Sequence, residues 1–210
     1  MPDKVKTRRR MIAPLLGDGE QALACTQVSF HLRYGIDWLE GAVPPPEPSP
    51  PTRVDKGLRV GSSILSVVLG GDGATDPGPS VPEVRSAFDV IAAGPAGSYA
   101  YRLVHIARRL KSLRDFPYVL ITSKRLIFAV DQKGQRFEVL VDVPLRDVAA
   151  AARRKDVLLI EFTDASFVRI SVSDNLSTAK TAGKLTELLA PGGEREPDLA
   201  RYAPPWARMA

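Results

Sequence analysis

The stretch Tyr118–Leu189 constrains the fold of this chain most. It sets short apolar runs between turn residues and ends in one amphipathic segment. Tyr118–Val130 (YVLITSKRLIFAV) is two apolar runs around a polar turn at Ser123-Lys124, the pattern of a β-hairpin. Gly134 marks the next turn, and Phe137–Val143 alternates, with Phe137, Val139 and Val141 on one side. Pro144 breaks that strand because it lacks the N–H a ladder needs. Leu145–Ala152 reads as a weaker strand, and Val157–Phe162 and Ser166–Val172 flank a turn at TDAS. Asp174–Leu189 reads as a closing helix, capped by Ser173 or Asp174. It presents Leu176, Ala179, Leu185, Leu188 and Leu189, and Pro191-Gly192-Gly193 ends it. Consecutive strands followed by a helix place the chain in the α+β class, as an antiparallel meander.

Upstream the signals differ. Gly17–Glu20 is a turn and Gln21–Arg33 reads as one strand, which needs a sheet to pair its backbone groups. Pro44–Pro51 (PPPEPSPP) can be neither helix nor central strand and reads as an extended spacer. Three helical patterns follow. Gly57–Leu69 is apolar on most sides. The second opens with Ser80 and Glu83 as a capping box, repeats Val84, Phe88 and Ile91, and stops at Gly94-Pro95. The third, Ser98–Arg114, carries the stripe Tyr99, Leu103, Ile106, Leu110 and Leu113. The expected organisation is a basic arm over 1–15, opening strand over 16–33, and Pro-rich linker with helical insertion over 34–115. A strand meander with its helix over 116–190 and a loose tail over 191–210, docked through Trp206, complete it.

Charge is unevenly placed. The formal net charge is +5. One basic cluster is the N-terminal Lys4, Lys6, Arg8, Arg9 and Arg10. The second joins Arg102, Arg108, Arg109, Lys111 and Arg114, on or after the third helix, to Lys124 and Arg125 at the hairpin turn. A local patch points to a local anionic partner. Arg125 has a second reading, as the structural partner of a carboxylate in the sheet. Met11–Leu16 is too short for a secretory leader and ends at acidic residues, and no run approaches the ~18 apolar residues of a membrane span. The single Cys25 excludes an intramolecular disulfide and fits a reducing cytosol. These features together predict a cytoplasmic protein, peripheral at the inner face of the membrane.

The hairpin Tyr118–Phe128, with Thr122-Ser123-Lys124-Arg125 at its turn, resembles the strand–T-x-x-R–strand hairpin of bacterial PH-like and GRAM-like domains, of the pleckstrin-homology-like superfold. Val143–Val148 (VPLRDV) is similar to their strand junction, Glu161–Phe167 to their later hairpin, and Leu16–Glu20 to their opening. The resemblance implies a partly open barrel capped by a C-terminal helix. It also implies binding of lipid headgroups, peptides or proteins, without catalysis or cofactor. About 80 residues separate the opening strand from the hairpin, so this chain departs from the pattern by a helical insertion of about three helices.

Catalytic readings find little. Ser173-Asp174-Asn175, Ser177–Lys180 and Lys180-Thr181-Ala182 echo penicillin-binding motifs but overlap in one helix, where they cannot converge. His31 and His105 with one distant cysteine give no metal spacing. Gly70-Gly71-Asp72-Gly73 lacks the G-K-[ST] of a phosphate loop. The expected function is a non-catalytic module binding a protein partner or an anionic membrane surface through Arg102, Arg108, Arg109, Lys111, Arg114, Lys124 and Arg125. Nucleic-acid binding through the basic helix is the first alternative, and an enzyme of unrecognised class the second.

Overall fold

A computed structural model of the chain describes residues 8–30, 36–40, 84–109, 117–132, 134–173 and 178–204. The chain divides into two compact units, Met1–Ala42 with Ser86–Ala210, and Val43–Arg85. Every described strand and helix belongs to the first. The proline-rich spacer, the Gly57–Leu69 helix and the Ser80–Glu83 capping box lie outside the described residues, as do Lys111, Arg114 and Trp206.

Strands β1 (Ala22–Ser29), β4 (Pro117–Thr122), β5 (Arg125–Gln132) and β6 (Arg136–Pro144) pair antiparallel in that order. Strands β7 (Val148–Arg154), β8 (Val157–Phe162) and β9 (Ser166–Val172) form a second antiparallel run. β1 belongs to both runs. Its first part faces β4, with Gln27 opposite Tyr118, and its end faces β9, with Val28 opposite Val172. The sheet does not close, because among the described residues no ladder joins β6 to β7. The molecule is therefore α+β with a mostly antiparallel sheet.

Side-chain alternation divides the core in two. Val119, Ile121, Leu126, Phe128, Ile160, Val168 and Ile170 point inward, together with residues of helices α1 (Tyr99–Arg109) and α2 (Thr178–Leu189). Leu120, Ile127, Ala129 and Phe137 point the other way. The outward set is covered by Met11 and Ile12, from a helical turn over 8–12 that leads into a 3-10 turn at Ala13–Leu15. From Arg8 onward, then, the expected arm is a lid on the sheet. Two covered faces explain why β4 and β5 read as unbroken apolar runs.

The second helical pattern is corrected. Ala87–Asp89 is a 3-10 turn and Val90–Gly94 is strand β3, antiparallel to β9 and parallel to β2 (Ile36–Leu39). The capping box sits at Ser86 and Asp89, six residues past the sequence signal. Val90 to Ala93 are all buried, which a strand covered on both faces requires and a surface helix does not. Gly94 is a close-approach residue, because at its φ of +145° a Cβ would lie 2.4 Å from the Ser166 Cβ. Within the segment expected as a helical insertion, the described elements are thus two strands and one helix. The strand expected from Leu145 begins instead at Val148, after a 3-10 turn at Leu145–Asp147.

The tail to residue 204 is docked, not loose. The Tyr202 hydroxyl donates to Glu161 Oε1 at 2.6 Å, and its ring meets Phe167 edge-on at 5.0 Å. Arg195 N donates to Ala151 O at 2.9 Å, and Glu196 accepts from Ser86 Oγ at 2.8 Å and from Ala87 N at 2.9 Å. Burial, reinforced by the Glu161 carboxylate, holds the Tyr202 phenol above its ordinary pKa.

Candidate functional site

Helix α1 is fixed by groups far away in sequence. Its N-terminal N–H groups lack intrahelical acceptors. Asp164, in the β8–β9 turn, supplies one: its Oδ2 accepts from Tyr99 N at 2.7 Å, while Ser166 Oγ donates to its Oδ1 at 2.6 Å. Ser98 Oγ accepts from Tyr101 N at 3.3 Å. The Tyr99 ring packs 5.3 Å from Phe162, and its hydroxyl donates to Asp147 Oδ2 at 2.9 Å. Burial and the neighbouring Asp147 raise the Tyr99 pKa. Ala100, Leu103 and Val104 face inward against β3, β6 and β9.

The outward face that results is basic. Arg102, His105, Arg108 and Arg109 are exposed. The Arg102 guanidinium lies 4.8 Å from the centre of the Tyr99 ring, a contact that leaves its charge available. Arg102 and Arg109 form no salt bridge among the described residues. Arg108 pairs with Asp37 of β2. The two arginines in the last turn also complement the helix dipole.

The hairpin-turn pair is engaged elsewhere. Arg125 donates from Nε to Glu20 Oε1 at 2.9 Å, and from Nη2 to Glu20 Oε2 at 3.0 Å and Leu15 O at 2.6 Å. It also pairs with Asp142. The Glu20 side chain is 2% exposed. Hydrogen bonding from Arg125 pulls its pKa down to about 2, against the opposing effect of burial and with help from Thr122 and Gly17. The same bonds raise the Arg125 pKa. Lys124 Nζ donates to Asp18 O at 2.8 Å. Arg125 is thus the internal partner of a sheet carboxylate, its second sequence reading. No hydrogen bond or ion pair among the described residues joins Lys124 or Arg125 to α1. Of the seven basic residues singled out by sequence, the structure brings Arg102, Arg108 and Arg109 together.

Sequence reasoning passed over Asp37 and Glu40. With Leu39, Tyr101, Val104, His105 and Arg108 they line a cleft of about 110 Å³ between β2 and α1. Its one signal was the β-rich tetrad Ile36-Asp37-Trp38-Leu39, next to the proline run. Cys25 is half-buried, and burial pushes its thiol up to about 11, away from nucleophilic use. Among the described residues no helix is long and apolar enough to cross a membrane, and no three His, Cys, Asp or Glu side chains are grouped to hold a metal ion. No family model matches the chain, and no curated protein matches it.

Proposed function

We propose that this chain is a non-catalytic interaction module of the PH-like kind, which docks on an anionic membrane surface through the outward face of α1. The observation that carries the reading is the pair Arg102 and Arg109, exposed on one rigidly seated helix and without a carboxylate partner among the described residues. The order of elements supports the PH-like assignment. Strands β1, β4, β5 and β6 form one antiparallel run, β7 to β9 a second, and a helix follows directly.

Each basic residue near an anionic leaflet contributes about 1 kcal/mol. Two such residues give roughly thirty-fold in affinity, a weak and salt-sensitive attachment. The test is co-sedimentation with phosphatidylcholine vesicles, with and without phosphatidylglycerol. Pelleting should require the anionic lipid, fade as salt rises, and fall more than tenfold in an Arg102→Glu/Arg109→Glu variant of unchanged melting temperature. Absence of pelleting with either vesicle refutes membrane docking and leaves an acidic protein as the partner of the same face.

A further inference from the structure

The cleft beside α1 has a chemistry different from the basic face. Asp37 projects from β2 with its side chain 14% exposed, and one carboxylate oxygen pairs with Arg108. The other, Oδ1, is buried without a hydrogen-bond partner among the described residues. Glu40 Oε2 accepts from Ala96 N at 2.7 Å, and Oε1 has no hydrogen-bond partner among the described residues. Tyr101 and His105 stack at 6.1 Å and 12°, giving a flat wall. The Arg108 side chain is 56% exposed, so its guanidinium can leave Asp37 for water without breaking the core. With Arg108 turned out, the lining carries two carboxylates and an aromatic wall and no permanent cation.

We infer that this cleft is a binding site for a small organic cation, a primary ammonium or guanidinium group, and that Arg108 occupies the place of that group until one arrives. The volume of about 110 Å³ suits a head group with a short stem rather than a whole drug-sized ligand. An entering N–H donor replaces Arg108 on one Asp37 oxygen and, as the carboxylate turns, satisfies Oδ1 as well. The Tyr101 ring adds its electron-rich face. Burial raises the Asp37 pKa and Arg108 opposes it, so the carboxylate loses compensation whenever Arg108 departs. A cation from outside restores it. The site is independent of membrane docking, which uses Arg102 and Arg109.

The test is an amide-resolved NMR titration of the full chain with butylammonium and butylguanidinium chloride. Ac-Gly-Lys-Gly-amide and Ac-Gly-Arg-Gly-amide form a second arm, with sodium butyrate as the charge-reversed control. Both cation classes should shift Ala96, Tyr101 and His105 to saturation, and butyrate should not. Asp37→Asn should weaken binding at least tenfold. Arg108→Gln should tighten it at least threefold, because the internal competitor is gone, and a purely structural ion pair would not produce that gain. Tripeptides binding tenfold tighter than the free cations identify a protein side chain as the natural occupant, whereas equal or tighter binding of the free cations identifies a small molecule. The inference is overturned if no cation saturates the shifts, if butyrate binds as well, or if Asp37→Asn changes nothing. Should Asp37→Asn fail to fold, loss of the gain in Arg108→Gln overturns it equally.

Discussion

Gly94→Ala should be among the most damaging single-methyl additions to this protein. The new carbon would sit 2.4 Å from Ser166 Cβ and 2.9 Å from Ser166 Cα. Carbon atoms pack at roughly 3.5–4.0 Å, so the overlap exceeds about 1 Å. Neither side can yield cheaply. Ser166 is fully buried, paired to Phe162 across β8, and hydrogen-bonded to the Asp164 that seats α1. Gly94 itself holds β2 through Leu39 and accepts from Glu40 N at 2.9 Å. Overpacking of this kind costs about 1–3 kcal/mol, and the φ of +145° adds strain of about 1–3 kcal/mol for a residue with a Cβ. The expected loss is therefore about 4 kcal/mol. With a urea m-value of about 2 kcal/mol per molar, the unfolding midpoint should fall by about 2 M. Ser166→Gly in the same background removes one of the two colliding carbons and should return at least about 1 kcal/mol as coupling. A midpoint shift below about 0.5 M, or strict additivity of the two changes, would refute the close-approach reading of β3.

Three further outcomes follow from the same geometry. Glu20 has a folded pKa of about 2 against an ordinary 4.5, so its contribution is complete above about pH 4.5 and lost as pH falls towards 2. Urea midpoints measured from pH 6 to pH 2.5 should show a loss of about 2 kcal/mol that is absent in Glu20→Gln. Asp164→Ala removes the acceptor for Tyr99 N and should cost about 1 kcal/mol, with faster amide exchange in the first turn of α1. Tyr202→Phe leaves buried Glu161 short of its nearest donor and should cost about 1–2 kcal/mol by thermal unfolding. No change there would mean that Arg195 and Arg201 alone satisfy the carboxylate.

The strand series from Tyr118 to Val172 was legible because each strand carries its own evidence. Apolar runs and turn residues decide the existence of those strands locally, but not their faces. A register shift in the β5–β6 ladder puts Phe137 and Val141 in opposite cores and leaves Val139 exposed, against the shared side expected of the three. β3 was misread for a physical reason: Val84, Phe88 and Ile91 fall at helical spacing by coincidence of a 3-10 turn running into a strand. A strand buried on both faces has no alternation to oppose that pattern. The covers were invisible too. Nothing within Met11-Ile12, or in the tail around Tyr202, states which sheet face it will bury. In the basic patch, charge was readable and pairing was not. Arg109 and Arg125 look alike in sequence, and it is the fold that takes Arg125 out of use, by bringing Glu20, Asp142 and the Leu15 carbonyl to its guanidinium.

The strand that straddles both runs sets the timetable of assembly. Most of β1 waits for β4, with Gln27 about 90 residues before Tyr118, and its end waits for Val172, about 145 residues later. Contacts so remote in sequence carry a large loop-closure cost and slow folding. As the chain emerges from the ribosome, β1 can pair with β4 once Thr122 is made, but its end at Val28 and Ser29 keeps an open edge until β9 follows.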